Sequence, residues 1–169
     1  MNLLRFREKI NTECSLIGSP ILNVKAIKID ANLKSLKQEV GCKNLKSCDY
    51  FRRKKDKFYF IELSDFHLQL ENLKKKSNTT DDKKYIKIEV RLKLSDTLII
   101  FQNLIKKYKI KYENTQLKNK VLLVICKENL SDTIAFNYIS KELSRHYCPT
   151  SFSSIHVIPY TEIENIITR

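Results

Sequence analysis

Apolar positions along the chain recur with two periods, one helical and one alternating, and the change from one to the other sets out the elements. Leu3, Phe6, Ile10 and Cys14 share one face at helical spacing, which predicts a first helix over 3–14. Gly18-Ser19-Pro20 breaks it, and alternation from Ile21 to Ile29, through Val24, Ala26 and Ile27, predicts a strand. Ala31 to Val40 reads as a short helix or loop closed by Gly41. Two aromatic-rich runs follow, Ser47-Cys48-Asp49-Tyr50-Phe51 and Phe58-Tyr59-Phe60-Ile61-Glu62-Leu63-Ser64. The polar, basic connection from Arg52 to Lys57 makes them the arms of a β-hairpin. Alternation within the first arm sends at least one of Tyr50 and Phe51 into a core. Leu68, Leu70 and Leu73 indicate packed structure, whereas 74–84 is charged, without period, and reads as an exposed loop.

The second half has a longer helical signal, from Ile86 to Tyr108. Val90, Leu94, Leu98, Phe101, Ile105 and Tyr108 form its stripe, and Ile88, Leu92, Ile99 and Ile100 widen it. At ~100° per residue Arg91 projects near the middle of that stripe, whereas Glu89 and Lys93 project away. A cation aimed at the packed side needs a partner. Lys120 to Cys126 is a continuous apolar run bounded by charge, as in an interior strand covered on both faces. Ser131-Asp132 caps a helix to about Tyr147, with Ala135, Ile139, Leu143 and His146 on one side, and Cys148-Pro149 stops it. Ile155 to Pro159 is a last strand, and Thr161 to Ile167 a closing helical turn. The predicted order is helix, three strands, helix, strand, helix, strand, an α/β arrangement in one domain over 1–169.

Charge adds a partner to this picture. Thirty-two Lys and Arg against 19 acids give a net charge of +13, a field that attracts polyanions, nucleic acid foremost. Joint enrichment in Lys, Ile and Asn also follows from low-GC coding. The basic turn Arg52, Arg53, Lys54 and Lys55 and the cluster Lys74, Lys75 and Lys76 are the candidate phosphate contacts. With only two glycines, Gly18 and Gly41, no glycine-rich phosphate loop exists, which excludes nucleotide-dependent kinase and dehydrogenase chemistry. Five cysteines without CxxC spacing argue against a zinc ribbon and a disulfide framework, and Cys42, Cys48 and His67 make a poor ligand set. The early charges Arg5, Arg7, Glu8 and Lys9 leave no signal-peptide core, and no run approaches the ~18 apolar residues of a membrane span. A cytoplasmic protein without membrane partners is expected.

The hairpin carries the candidate chemistry. Asp49 lies near the start of its first arm and Glu62 near the end of its second, so antiparallel pairing brings both to one end. Two hard oxygen ligands can hold a divalent cation that activates water against a phosphodiester. An acid on one strand followed by an acid two residues before a polar position on the next resembles the PD-(D/E)XK nuclease superfamily, with Ser64 standing where that family usually has Lys. The resemblance implies a restriction-endonuclease-like three-layer α/β core with a mixed central sheet. It implies Mg²⁺ or Mn²⁺ on Asp49 and Glu62, with a carbonyl near Leu63 as a further ligand. It also implies an endonuclease acting on nucleic acid, DNA ahead of RNA, as a homodimer or in a larger complex. The catalytic set on this reading is Asp49, Glu62, Ser64 and Arg91, with Arg91 supplying the positive charge that Ser64 lacks. Glu8 or Glu13 is the additional acid that the family often places on its first helix. The alternative is a catalytically inactive nuclease-fold protein serving as a nucleic-acid-binding or adaptor subunit.

Overall fold

The strands Arg7–Lys9 (β1), Lys25–Lys28 (β2), Tyr50–Lys54 (β3), Lys57–Ser64 (β4), Asn119–Ile125 (β5) and Ser154–Pro159 (β6) lie side by side in chain order in one sheet. The computed structural model describes residues 3–10, 22–31, 35–55, 57–64, 75, 82–110, 119–125, 130–148 and 151–168. From β1 to β4 all neighbours are antiparallel, while β4–β5 and β5–β6 are parallel. A parallel neighbour needs a crossover. The helices Asp82–Tyr108 (α2) and Leu130–Tyr147 (α3) fall in the two crossovers, and the short helices Leu36–Glu39 (α1) and Ile163–Thr168 (α4) lie before and after them in the chain. The chain is therefore α/β with a six-stranded mixed sheet.

Side-chain alternation divides the buried residues between the two faces of the sheet. On one face Phe51, Phe58 and Phe60 surround Phe101 of α2, with ring centroids 5.2, 5.3 and 5.1 Å away. Val90, Leu94 and Leu104 of α2 and Phe136, Ile139 and Leu143 of α3 fill the rest of that core. On the other face Tyr50, Tyr59, Ile61 and Leu63 pack with Ile163 and Ile167 of α4. Tyr50 and Phe51 are thus both buried, on opposite sides. Val121 and Leu123 join the first core and Leu122 and Val124 the second, as expected of an interior strand.

Several sequence expectations are corrected. Instead of a helix from Leu3, residues Leu3–Phe6 form a 3-10 turn and Arg7–Lys9 an edge strand. Pairing with β2 outweighs the helical spacing, and Ile10 prolongs it through hydrogen bonds with Val24 and Leu22. The regular part of the next strand is only Lys25–Lys28. α1 is a single turn capped by Ser35, whose Oγ accepts from the Gln38 N–H at 3.3 Å, and Gly41 follows it at φ +77°. α2 begins at Asp82, so the end of the expected 74–84 loop is helical. Ile88, Leu92 and Ile99 do not widen the buried stripe of α2, being close to half exposed, and His146 of α3 is exposed.

Candidate active site

Glu62 follows Phe58 and Phe60 at two-residue steps along β4, so its side chain enters the core beneath α2. Only 1% of it is exposed. A buried carboxylate needs a cation or donors, and Lys93 of α2 supplies one: its Nζ donates to Glu62 Oε1 at 2.5 Å. Glu62 Oε2 has no hydrogen-bond partner among the described residues. Two residues on, along the same face, Ser64 is fully buried and its Oγ likewise has no partner among the described residues.

Asp49 comes to this place through strand register. Tyr50 pairs with Ile61, and one further step sets Asp49 opposite Glu62. Its Oδ2 accepts from the Leu63 N–H at 2.7 Å. The segment leading into β3 is strapped to α2 at two points. The Lys46 N–H donates to Asp96 Oδ2 at 3.0 Å and the Cys48 N–H to Thr97 Oγ1 at 2.8 Å. Thr97 Oγ1 in turn donates to the Lys93 carbonyl at 2.6 Å. One turn of α2 therefore fixes both the backbone before Asp49 and the residue that carries the ammonium. Thr97→Val is expected to destabilise the protein by about 1–3 kcal/mol, because the buried Cys48 N–H loses its acceptor. Chemical denaturation of the two proteins measures the difference.

Electrostatics follow from the count of charges. Burial, and then the Asp49 carboxylate, push the Glu62 carboxyl up to about 8, with Lys93 only partly offsetting them. Burial alone would lower Lys93, but Glu62 and Asp49 outweigh it and hold the ammonium above its ordinary value. Lys93 thus stays charged, and the excess of one negative charge is relieved at Glu62 by a proton. Burial, with Glu62 beside it, also raises the Cys48 thiol well above its usual range, so Cys48 is a packed thiol rather than a nucleophile.

Among the described residues no three His, Cys, Asp or Glu side chains are grouped to hold a metal ion. The donor set is the two carboxylates, and the buried Glu62 Oε2, unpartnered among the described residues and opposite Asp49, is the feature that fits a hard divalent cation.

Of the residues expected at the site, Asp49, Glu62 and Ser64 come together and Arg91 does not. Arg91 is exposed, and its backbone carbonyl accepts from the Tyr147 hydroxyl at 3.3 Å. Residues 91 and 93 differ by about 200° around a helix, so the inward cation is Lys93. Counting Ile88, Leu92 and Ile99 as core turned the expected stripe away from Lys93. The buried set Ile86, Val90, Leu94, Thr97 and Leu104 restores its direction. Arg52, Arg53, Lys54 and Lys55 lie at the turn end of the hairpin, Lys54 about 16 Å along β3 from Asp49. Lys75 is exposed, and Lys74 and Lys76 lie outside the described residues. Glu8 is on β1, where Oε1 accepts from the Tyr50 hydroxyl at 3.1 Å on the other face of the sheet. Glu13 and His67 fall outside the described residues, and Cys42 and Cys48 are free and buried.

No protein-family model matches the chain, and neither a curated protein nor a solved structure matches it. No helix among the described residues is long and apolar enough to cross a membrane.

Proposed function

We propose that this chain is a metal-dependent phosphodiesterase of restriction-endonuclease-like fold, an endonuclease acting on nucleic acid with DNA as the favoured substrate. Its site is of the PD-(D/E)XK type, with Lys93 of α2 in place of the strand lysine that Ser64 replaces. One observation carries the reading: a buried carboxylate with one oxygen on a lysine ammonium and the other without a partner among the described residues, directly across the hairpin from a second carboxylate. The succession of three antiparallel strands, a helix and a parallel strand supports the fold, and the net charge of +13 supports a polyanionic substrate.

Asp49 and Glu62 are the residues that would hold Mg²⁺ or Mn²⁺, which when bound supplies Lewis-acid neutralisation of the phosphate and a more acidic water. The Leu63 N–H keeps the Asp49 carboxylate turned toward β4. Lys93 places a permanent positive charge where the attacked phosphate gains negative charge. Ser64 adds a buried hydroxyl, unpartnered among the described residues, on the same strand face.

A second reading, a catalytically inactive nuclease-fold protein that binds nucleic acid or serves as an adaptor, is favoured by the burial of Glu62 and its direct pairing with Lys93. Incubation with single- and double-stranded DNA and RNA, with Mn²⁺ or with a chelator, separates the two. The nuclease reading expects Mn²⁺-dependent cleavage that falls at least about a thousandfold in both Asp49→Ala and Glu62→Gln. Salt-sensitive binding without cleavage, unchanged by both substitutions, establishes the second reading.

A further inference from the structure

At the β1 edge of the sheet, β1, β2 and β3 enclose a half-open pocket of about 240 Å³. Arg7, Lys25, Arg52 and Arg53 line it, with Leu4 and Phe51 among its apolar walls, and no carboxylate is among the described lining residues. Register assembles it. Arg7 pairs with Ile27 and Ile27 with Phe51, which sets an N-terminal arginine in the row beside the basic end of β3.

Among the described residues these cations differ from those that form ion pairs. Arg5, Lys28, Lys37, Lys46, Lys87, Lys93, Lys107 and Arg145 each lie within 4 Å of a carboxylate. Arg52 and Arg53 instead rest on neutral groups. Arg52 donates to the Lys25 carbonyl at 2.9 Å, and Arg53 donates to the Lys55 carbonyl at 3.2 Å while lying over the Phe58 ring. Burial, and then the neighbouring Arg7, lower the pKa of the Arg52 guanidinium. A cluster held together against its own repulsion becomes favourable once an anion enters.

The chemistry selects the anion. Guanidinium groups offer planar forks that match phosphate oxygens. Four formal cations suit the two charges of a phosphomonoester better than the single charge of a backbone diester. Leu4, 59% exposed at the rim, offers apolar surface to a sugar or base. We propose that this pocket binds the phosphorylated end of a nucleic-acid strand, with the terminal phosphate on the arginines and the first nucleoside against the apolar wall. The proposal rests on the nucleic-acid reading above but not on cleavage.

The test is a binding titration of the whole chain in chelator, by fluorescence anisotropy. The probes are one short single-stranded DNA with a 5′-phosphate, a 3′-phosphate or hydroxyls at both ends. One phosphorylated end is expected to bind about tenfold tighter than the hydroxyl form. Arg7→Gln and Arg52→Gln each remove that preference, whereas Lys106→Gln, an exposed lysine of α2, preserves it. Unchanged melting temperatures show that the substitutions act on binding, and a nucleoside monophosphate competes with the preferred end. Equal affinity for all three ends overturns the proposal, as does a preference that survives both arginine substitutions. Arginine-dependent binding to phosphatidylserine vesicles with no end preference also overturns it, in favour of a lipid headgroup. Absence of cleavage with the preference intact removes the nuclease reading alone; cleavage without the preference removes the pocket alone.

Discussion

Lys93→Met is expected to lower Mn²⁺-dependent cleavage by about 10²–10³-fold, whereas Arg91→Met leaves it within about twofold. The difference follows from geometry. The Lys93 ammonium sits 2.5 Å from Glu62 Oε1, inside the space shared by the two carboxylates, while the Arg91 side chain is exposed. Removing Lys93 has a structural consequence as well, because Glu62 is left as an uncompensated buried charge. Lys93 is also what holds the Glu62 carboxyl down, so in this variant the carboxyl rises above about 8. The full cost of roughly 3–5 kcal/mol is met only where the carboxyl is ionised, and it shrinks at lower pH, where the carboxyl keeps its proton. The double variant Glu62→Gln/Lys93→Met separates the two effects. It recovers most of the thermal stability and none of the cleavage. Initial rates and melting curves on the four proteins provide the comparison. Equal rates in Lys93→Met and the parent would remove the ammonium from the chemistry.

The second large effect is a dependence of metal-free stability on pH. The carboxyl of Glu62 is pushed up to about 8 in the fold, against an ordinary value of 4.5. Between those values the folded chain binds a proton that the unfolded chain has released. The resulting stabilisation is complete below the unfolded value and disappears as pH rises through about 8. The melting temperature should therefore fall between pH about 5 and 9 by roughly 5–10 °C, and Glu62→Gln should abolish most of that slope. The same proton competes with a cation for the carboxylate. On the proposed metal site, Mn²⁺ is expected to raise the melting temperature more above pH 8 than at pH about 6, and Glu62→Gln is expected to lose the increment. A slope that survives Glu62→Gln would place the titrating group elsewhere.

Much of the fold was legible because the relevant signals are local. The hairpin, the interior strand at 119–125 and the helices at 82–108 and 130–147 each follow from period and length. The two carboxylates were legible too, since antiparallel register alone sets Asp49 across from Glu62. The source of the cation was not. Choosing between Arg91 and Lys93 required knowing that Ile88, Leu92 and Ile99 face outward, a tertiary property that composition does not encode. The first segment misled for a related reason: the spacing of Leu3, Phe6 and Ile10 suits a helix, but pairing with β2 requires extended backbone. The arginine pocket joins Arg7 to Arg52 across two strand pairings, so the basic turn could be seen in the sequence but its N-terminal member could not.

The split between a local hairpin and a distant helix has a kinetic consequence. Asp49 and Glu62 are brought face to face by a short loop, whereas Lys93 arrives only when α2 docks on the sheet. Loop closure favours the nearer contact first. The nascent hairpin must therefore tolerate like-charge repulsion until the crossover is complete, and the helix acts as the latch that makes the paired arms worth keeping.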